Sequence, residues 1–276
     1  MIELLFLYRW TIPAGACFAA ALALLGIQLS ARDRSLQSFC VSQGSMVGIL
    51  LGLGAGISPA AMGLLAAIFV FFGSEKAVGK LDHSRNTIFG AIYIILLAMS
   101  YMASVAFPAL ESHMAGIFFG DLATLGMSQS LRILPVSLIA LAILILFWRP
   151  ISSQSFDIAL FGERTATTLS ANRWRALLLG VSLITLSVSV QFLGFLFTVA
   201  FLYLPTVILG MARPQGLIRH MILCGSTAAI SVIVGFFGSL FFPQLPTVPT
   251  IIFTYVAAAI LLQFQTNPRS QIPRQR

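Results

Sequence analysis

Long, almost purely apolar stretches recur along the whole sequence, and they restrict the fold more than any other feature. Inside a bilayer, backbone amides and carbonyls must pair within their own segment, and a helix of about 20 apolar residues crosses the hydrocarbon core. These stretches are too long for barrel strands, so the sequence predicts an all-α, polytopic transmembrane bundle of about nine spans. The third and ninth are short, which leaves eight or ten spans open. The nine stretches are residues 11–30, 39–57, 59–73, 87–107, 131–148, 176–192, 195–211, 221–237 and 250–264.

The composition excludes a water-soluble fold. Of the 276 residues, 58% are hydrophobic and only 9% are charged, and the mean hydropathy is +0.97. A soluble domain cannot cover so much apolar surface with so few charges. We therefore predict one transmembrane domain over residues 1–276, in which residues 1–10 form an interfacial lead-in rather than a signal peptide.

Basic residues concentrate on one side of the predicted membrane. With nine spans and the amino terminus outside, 14 of the 16 Lys and Arg residues fall in cytoplasmic loops, and only Arg9 and Arg132 fall outside. The positive-inside rule predicts such a bias. The net charge of +8 therefore needs no nucleic-acid partner, and the basic tail, residues 265–276, is expected near anionic lipid headgroups.

Motifs for catalysis or nucleotide binding are missing from the sequence. The segment GSEKAVGK has five residues between Gly73 and Gly79 and Leu81 after Lys80, so it fails the phosphate-binding loop pattern twice. The predicted spans contain no Asp, Glu, Lys or His, which disfavours a carrier driven by protons or sodium ions. We expect no enzyme activity and no bound cofactor in this chain, so any ATP must be used by a partner.

Glycine and cysteine residues in the spans are expected to serve packing. Gly44, Gly48, Gly52 and Gly56 recur every fourth residue, which lets a second helix approach closely, either from the same chain or from a dimer partner. The three cysteines lie in or beside spans without a spacing typical of structural zinc, and we interpret them as buried packing residues. These cysteines are Cys17, Cys40 and Cys224.

The longest predicted cytoplasmic loop covers residues 151–175. Its second half could form a short helix after Gly162, with Glu163 in the first turn and Arg173 and Arg175 beyond the end, which suits the helix dipole. Such a helix could dock into a partner protein. A plain basic loop is the alternative.

This loop resembles the coupling segment of ABC importer permeases of the manganese/zinc/iron family and of their relatives that carry siderophores and vitamin B12. Three further segments resemble the family in the same order: FFGDLATLGMSQSL, FLGFLFTVAFLYLP and SLFFPQLPTVPTIIF. The resemblance thus extends over nearly the whole chain. The matching positions are Phe156, Asp157, Gly162, Glu163, Ala166 and Leu169 in segment 156–172, where Ser170 replaces a usual glycine, and then Gly120, Asp121, Gly194, Pro205, Ser239 and Pro246.

The resemblance implies a homodimeric or heterodimeric permease of the metal-chelate type in a bacterial cytoplasmic membrane. Cytoplasmic ABC ATPase subunits would hydrolyse ATP, and an extracytoplasmic metal-binding protein would deliver a divalent metal ion. The coupling segment would transmit motion, and Pro205 would kink or break its helix, with ordinary packing as the alternative. The external segment ESHMAGIFFGD suggests a metal vestibule or, alternatively, a solvated loop. Its potential ligands are Glu111, His113, Met114 and Asp121.

The family carries an acid and a histidine four residues apart after the first cytoplasmic turn, on one helix face where both can bind a divalent cation. The resemblance aligns these positions with Phe39 and Gln43, while Ser42 keeps the adjacent serine. Three explanations stay open. A second permease could retain the pair; the cargo could be a metal chelate or another small solute; or the chain could be a non-transporting scaffold or regulatory subunit.

Overall fold

The structure, a computed structural model, describes residues 8–81, 83–107, 111–120, 122–161, 169–210, 216–242 and 244–266. Regular structure within these residues is helical, and a short 3-10 turn, Leu122–Thr124, separates the fifth and sixth α-helices. The α-helices are α1 Thr11–Ala31, α2 Ser35–Ala55, α3 Pro59–Lys80, α4 Arg85–Ala106, α5 Glu111–Phe119, α6 Met127–Leu146, α7 Trp148–Phe161, α8 Leu169–Leu193, α9 Phe195–Gly210, α10 Leu217–Phe241 and α11 Thr247–Thr266.

Seven of the described helices are long and apolar enough to cross a membrane, namely α1, α2, α3, α4, α6, α8 from Asn172 onward, and α10. Two shorter apolar stretches, Phe195–Leu209 in α9 and Thr247–Leu262 in α11, bring the apolar helices to the nine positions expected from the sequence. The all-helical, multi-pass membrane class is therefore confirmed, and seven spans are supported by length.

Several helix ends lie where local sequence places them. Gly56 ends α2 in the left-handed conformation with φ 69°, which glycine adopts without a Cβ penalty. Pro59 opens α3, where its missing amide is not needed. The Ser84 hydroxyl accepts the Thr87 amide at the start of α4.

Three segments differ from the sequence-based expectation. The third apolar stretch is not short, because α3 continues through GSEKAVGK to Lys80 as helix rather than loop. The predicted 151–175 loop begins inside a helix, α7, which spans Trp148–Phe161. The stretch predicted to begin at residue 131 starts earlier, because α6 already begins at Met127 and includes Arg132. In each case the helix extends past the apolar stretch into polar sequence, which hydropathy alone does not reveal.

The two most buried helices, α1 and α2, organise the bundle. α1 packs against α6, α9 and α10, and α2 packs against α3 and α4, while α8 contacts members of both groups. The outer faces are apolar, as shown by Phe69 at 78% exposure and Phe253 at 75%. Such surfaces are stable against lipid chains and not against water.

The glycine stripe of α2 faces α3 of the same chain. A Cβ on Gly44 would lie 2.5 Å from Val70 Cγ2, and one on Gly48 would meet the Met62 carbonyl oxygen and Ala66 Cβ. A Cβ on Gly52 would lie 3.1 Å from Pro59 Cα. The two backbones thus approach as the GxxxG pattern predicts. The fourth glycine differs: a Cβ on Gly56 would meet no atom within 4 Å, so this residue ends the helix and does not pack.

Candidate functional site

The position that aligns with the family's acid lies on α2 and contacts α9. Phe39 is half-buried, and its ring meets the Tyr203 ring edge-on, with centroids 5.5 Å apart and planes at 78°. Edge-to-face contact is a favoured arrangement of two aromatic rings. Phe39 therefore supplies an apolar helix contact where the family carries a carboxylate.

The position that aligns with the family's histidine is buried in the bundle one turn further along. Gln43 Nε2 donates to Ser100 Oγ of α4 at 3.2 Å, and that hydroxyl donates to the Leu97 carbonyl at 2.7 Å. Gln43 Oε1 and the neighbouring Ser42 Oγ have no hydrogen-bond partner among the described residues, although both side chains are 0% exposed. An unpaired buried polar atom costs about 1–3 kcal/mol. Such atoms therefore mark a place where a polar guest would be stabilised.

Polar side chains continue from α2 onto α8, and we call this group the polar seam: Ser42, Gln43, Ser45 and Ser187. Ser45 Oγ donates to Ser187 Oγ at 3.1 Å, which joins the two helices. The buried Thr185 hydroxyl has no partner among the described residues. Oxygen donors suit hard cations such as Mn²⁺. All four side chains of the seam are neutral, however, so the seam itself offers no charge to balance a divalent ion.

The α8 half of the seam and Ser100 were missed by sequence reasoning. The available signal was the alternation of hydroxyl residues at Thr185, Ser187 and Ser189. Because this spacing of two distributes side chains around a helix, it does not show which of them meets α2. The contact is decided by how the two helices pack.

Ser42→Ala and Ser45→Ala are expected to affect stability differently, although the two residues are one turn apart. Ser42→Ala removes an unpartnered buried hydroxyl, so the free energy of unfolding should be unchanged or higher by about 1 kcal/mol. Ser45→Ala removes the hydrogen bond to Ser187 and should lower the free energy of unfolding by about 1 kcal/mol. Thermal unfolding of the detergent-solubilised protein measures both. Equal losses would contradict the assignment of partners.

Two glycines from the family-like segments meet backbone to backbone. Gly120 follows α5 with φ 72°, and Gly194 separates α8 from α9 with φ 93°. A Cβ on Gly120 would overlap the Leu193 carbonyl oxygen and lie 3.1 Å from Gly194 Cα. A Cβ on Gly194 would lie 2.5 Å from the Gly120 nitrogen. Only glycine satisfies both the positive φ and the close approach at each position.

The expected outer vestibule is described only in part. His113 is exposed and Met114 is half-buried, both on α5. Glu111 lies in the same helix, but its side chain is outside the described residues, as is the whole of Asp121. The structure thus places His113 and Met114 in adjacent positions, and the four-residue cluster stays a prediction.

Residues 156–161, the first part of the predicted coupling segment, belong to helix α7, which buried polar groups anchor to the end of α1. Gln28 Nε2 donates to Ser152 Oγ at 2.8 Å, and Ser155 Oγ donates to Gln28 Oε1 at 2.9 Å. Arg32 Nε donates to Ser155 Oγ at 3.0 Å, and Arg32 Nη2 donates to Gln154 Oε1 at 3.1 Å. Charge-assisted and paired bonds of this kind hold a helix in a defined orientation.

The opposite face of α7 is exposed and partly apolar. Phe156 is 47% exposed and Leu160 is 75% exposed, and Asp157 lies beside them on the surface. The spacing of three and four residues places them on one helix face. The other predicted coupling positions lie wholly or partly outside the described residues. Leu169 and Ser170 open α8 with undescribed side chains, and Gly162, Glu163 and Ala166 lie outside the described residues.

Pro205 lies inside α9, which continues to Gly210. The helix is therefore not broken there, although proline removes one backbone hydrogen bond. The Pro205 carbonyl accepts a weak hydrogen bond from Cys224 Sγ of α10, 3.6 Å away. Pro205 thus lies at a packed contact between two helices.

Known proteins match this chain over most of its length. The ABC 3 transport family matches residues 5–266. The manganese transport system membrane protein MntC of Listeria monocytogenes serovar 1/2a is 23% identical over 223 residues, which are 79% of this chain and 76% of that protein. PsaBC from Streptococcus pneumoniae in complex with Fab is similar with a TM-score of 0.77 at 17% identity, covering 97% of this chain and 92% of that chain. An ABC transporter in an inward-facing conformation gives a TM-score of 0.65 at 18% identity, covering 95% and 88%.

The helical bundle with apolar outer faces defines the chain as a multi-pass membrane protein. It belongs to the ABC 3 transport family, whose match covers the described helices from α1 to α11. The predicted resemblance to the metal-ion ABC permeases is thereby confirmed, together with the membrane transport class.

Proposed function

We propose that this chain is the membrane-spanning subunit of an ATP-driven importer for divalent metal ions and works beside a second permease. The continuous family match over residues 5–266 carries the proposal. The manganese transport named for the Listeria relative supports Mn²⁺ as the first cargo to test. ATP is hydrolysed in cytoplasmic ABC ATPase subunits, and an extracytoplasmic binding protein supplies the ion.

The chemistry of the polar seam supports the proposal of a second permease. Gln43 Oε1 and Ser42 Oγ are neutral, unpartnered oxygens on neighbouring residues that suit a hard cation but leave its charge unbalanced. A partner permease that keeps a carboxylate and an imidazole supplies the missing charge in a shared path. A metal chelate of low charge is the second candidate cargo, because the same neutral, partly aromatic surroundings accept it without a charged ligand.

We further propose nine spans, with the amino terminus outside and the carboxyl terminus in the cytoplasm. Thr11 Oγ1 and Ser130 Oγ lie 2.8 Å apart at one end of α1. At the other end lie the α7 anchor and the ion pair between Arg34 and Glu75, 3.1 Å apart. Arg32, Arg34 and Arg175 line one small cavity at that end. This clustering of basic residues supports a cytoplasmic assignment by the positive-inside rule.

Metal uptake tests this function. Cells that express the chain with its ATPase, binding protein and second permease should accumulate ⁵⁴Mn²⁺ or another divalent ion, and deletion of this chain should abolish the uptake. Phe39→Asp combined with Gln43→His should let the chain support uptake without the second permease, because the pair restores charged ligands on one helix face.

The outcomes separate the alternatives. Unchanged uptake of every metal ion and chelate after deletion contradicts an importer and supports a scaffold or regulatory subunit. Uptake of a chelate alone, lost on deletion, supports the second candidate cargo.

A further inference from the structure

The first turns of α10 bring a histidine and a cysteine together. His220 Nε2 and Cys224 Sγ are 3.6 Å apart, one helical turn from each other. Cys224 is 0% exposed, whereas His220 is half-buried and lies near the beginning of the helix at Leu217. From the sequence alone we interpret Cys224 as a buried packing residue, because no spacing in the chain is typical of structural zinc.

Their separation is that of two ligands on one tetrahedral metal ion. Zinc–sulfur bonds of about 2.3 Å and zinc–nitrogen bonds of about 2.05 Å at the tetrahedral angle place the two donor atoms about 3.6 Å apart. The i, i+4 spacing directs both side chains to one helix face, as in other paired metal ligands on helices. The two donors therefore need little rearrangement to hold such an ion.

Residues of two neighbouring helices lie beside the cysteine. The Pro205 carbonyl of α9 lies 3.6 Å from Cys224 Sγ. Tyr255 of α11 lies close to Cys224 and is 1% exposed, and its hydroxyl lies beside Thr227.

We propose that His220 and Cys224 form a binding site for a thiophilic divalent transition-metal cation such as Zn²⁺, at the end of α10 that faces Pro205. Binding forms one metal–sulfur and one metal–nitrogen bond and releases the thiol proton to solvent. Thiolate and imidazole donors favour Zn²⁺ and Co²⁺ over Mn²⁺. The site is separate from the polar seam, which lies on α2 and α8, and it does not depend on the identity of the transported cargo.

The site is expected to bind reversibly. The described residues hold no group of three or more His, Cys, Asp or Glu side chains around one point, so two side-chain ligands act where a structural zinc site has four. Bound metal would join α10 to α9 at Pro205, because the carbonyl there lies beside the sulfur. Metal at this site would thus favour the arrangement of the two helices seen in the structure.

Co²⁺ absorption tests the proposal on the purified full-length chain in detergent. Wild type should show a near-ultraviolet thiolate-to-cobalt band that excess Zn²⁺ removes and excess Mn²⁺ does not. Cys224→Ser should lose the band, and His220→Gln should weaken Co²⁺ binding by about tenfold or more, since one of two side-chain ligands is gone. Cys40→Ser is the matched control: Cys40 is equally buried, but its thiol donates to the Phe89 carbonyl at 3.0 Å.

A second measurement covers the case in which Cys224→Ser does not fold. Zn²⁺ should raise the unfolding temperature of wild type, as any ligand specific for the folded state does, and should do so much less in the half-exposed His220→Gln variant. The absence of a cobalt band in wild type, or equal Zn²⁺ shifts in wild type and His220→Gln, would show that the pair is a weak hydrogen bond and nothing more.

Discussion

Gly194→Ala is expected to prevent the chain from reaching a stable folded state in detergent. The residue has φ 93°, and a left-handed conformation costs a residue with a Cβ about 1–2 kcal/mol. Its Cβ would also lie 2.5 Å from the Gly120 nitrogen, so the turn between α8 and α9 would have to separate from the segment after α5. Overlap with backbone adds about 1–3 kcal/mol or more, because backbone cannot rotate away as a side chain can.

Fluorescence-detected size exclusion before and after heating measures this effect. Gly194→Ala and Gly120→Ala should both lower the unfolding temperature strongly or shift the protein to aggregates. Gly56→Ala is the matched control, because its φ of 69° is also positive but a Cβ there meets nothing within 4 Å. The free energy of unfolding of the Gly56→Ala variant should fall by only about 1–2 kcal/mol. Gly90→Ala, inside α4 and in open space, should have little effect.

One experimental result would contradict the contact between Gly120 and Gly194. If Gly194→Ala and Gly56→Ala lose the same stability, conformational strain explains both, and the close approach of Gly120 contributes nothing.

Phe156→Arg combined with Leu160→Arg is expected to abolish co-purification of the ATPase subunits while the permease stays folded. Both side chains lie on the exposed face of α7, at 47% and 75% exposure, whereas Ile151, Ser155 and Ile158 are buried. Exposed apolar groups on an anchored helix are suited to enter a pocket on a partner, and a pair of charges in that pocket would be buried without compensation. We therefore expect the double variant to lose all of the co-purifying ATPase.

Leu81→Arg is the control for this experiment, because Leu81 is an apolar residue 53% exposed just beyond the end of α3 and is not part of α7. It should leave the ATPase bound in full stoichiometry. The double variant should keep the size-exclusion profile and unfolding temperature of wild type, since neither side chain is buried. Stoichiometric ATPase on the double variant would contradict α7 as the docking helix.

The glycine residues show which helix contacts the sequence predicts and which it does not. The period of four in Gly44, Gly48 and Gly52 correctly predicts a close helix neighbour, because a stripe without side chains is a local property of one helix. It does not distinguish α3 of the same chain from a helix of another copy, and it does not separate Gly56, which ends the helix instead of packing. Gly120 and Gly194 were each recognisable as family-like positions, yet nothing in their separate segments indicates that they touch.

The sequence by itself determined the membrane class, the helical fold, the positions of the nine apolar helices and the family, because hydropathy and motifs are properties of neighbouring residues. The tertiary structure decided which residues meet: Gln43 with Ser100, Ser45 with Ser187, and Arg32 with Ser155. It also extended α10 far enough to pair His220 with Cys224. Such contacts depend on the rotation and register of each helix against its neighbours, and packing of the whole bundle sets both.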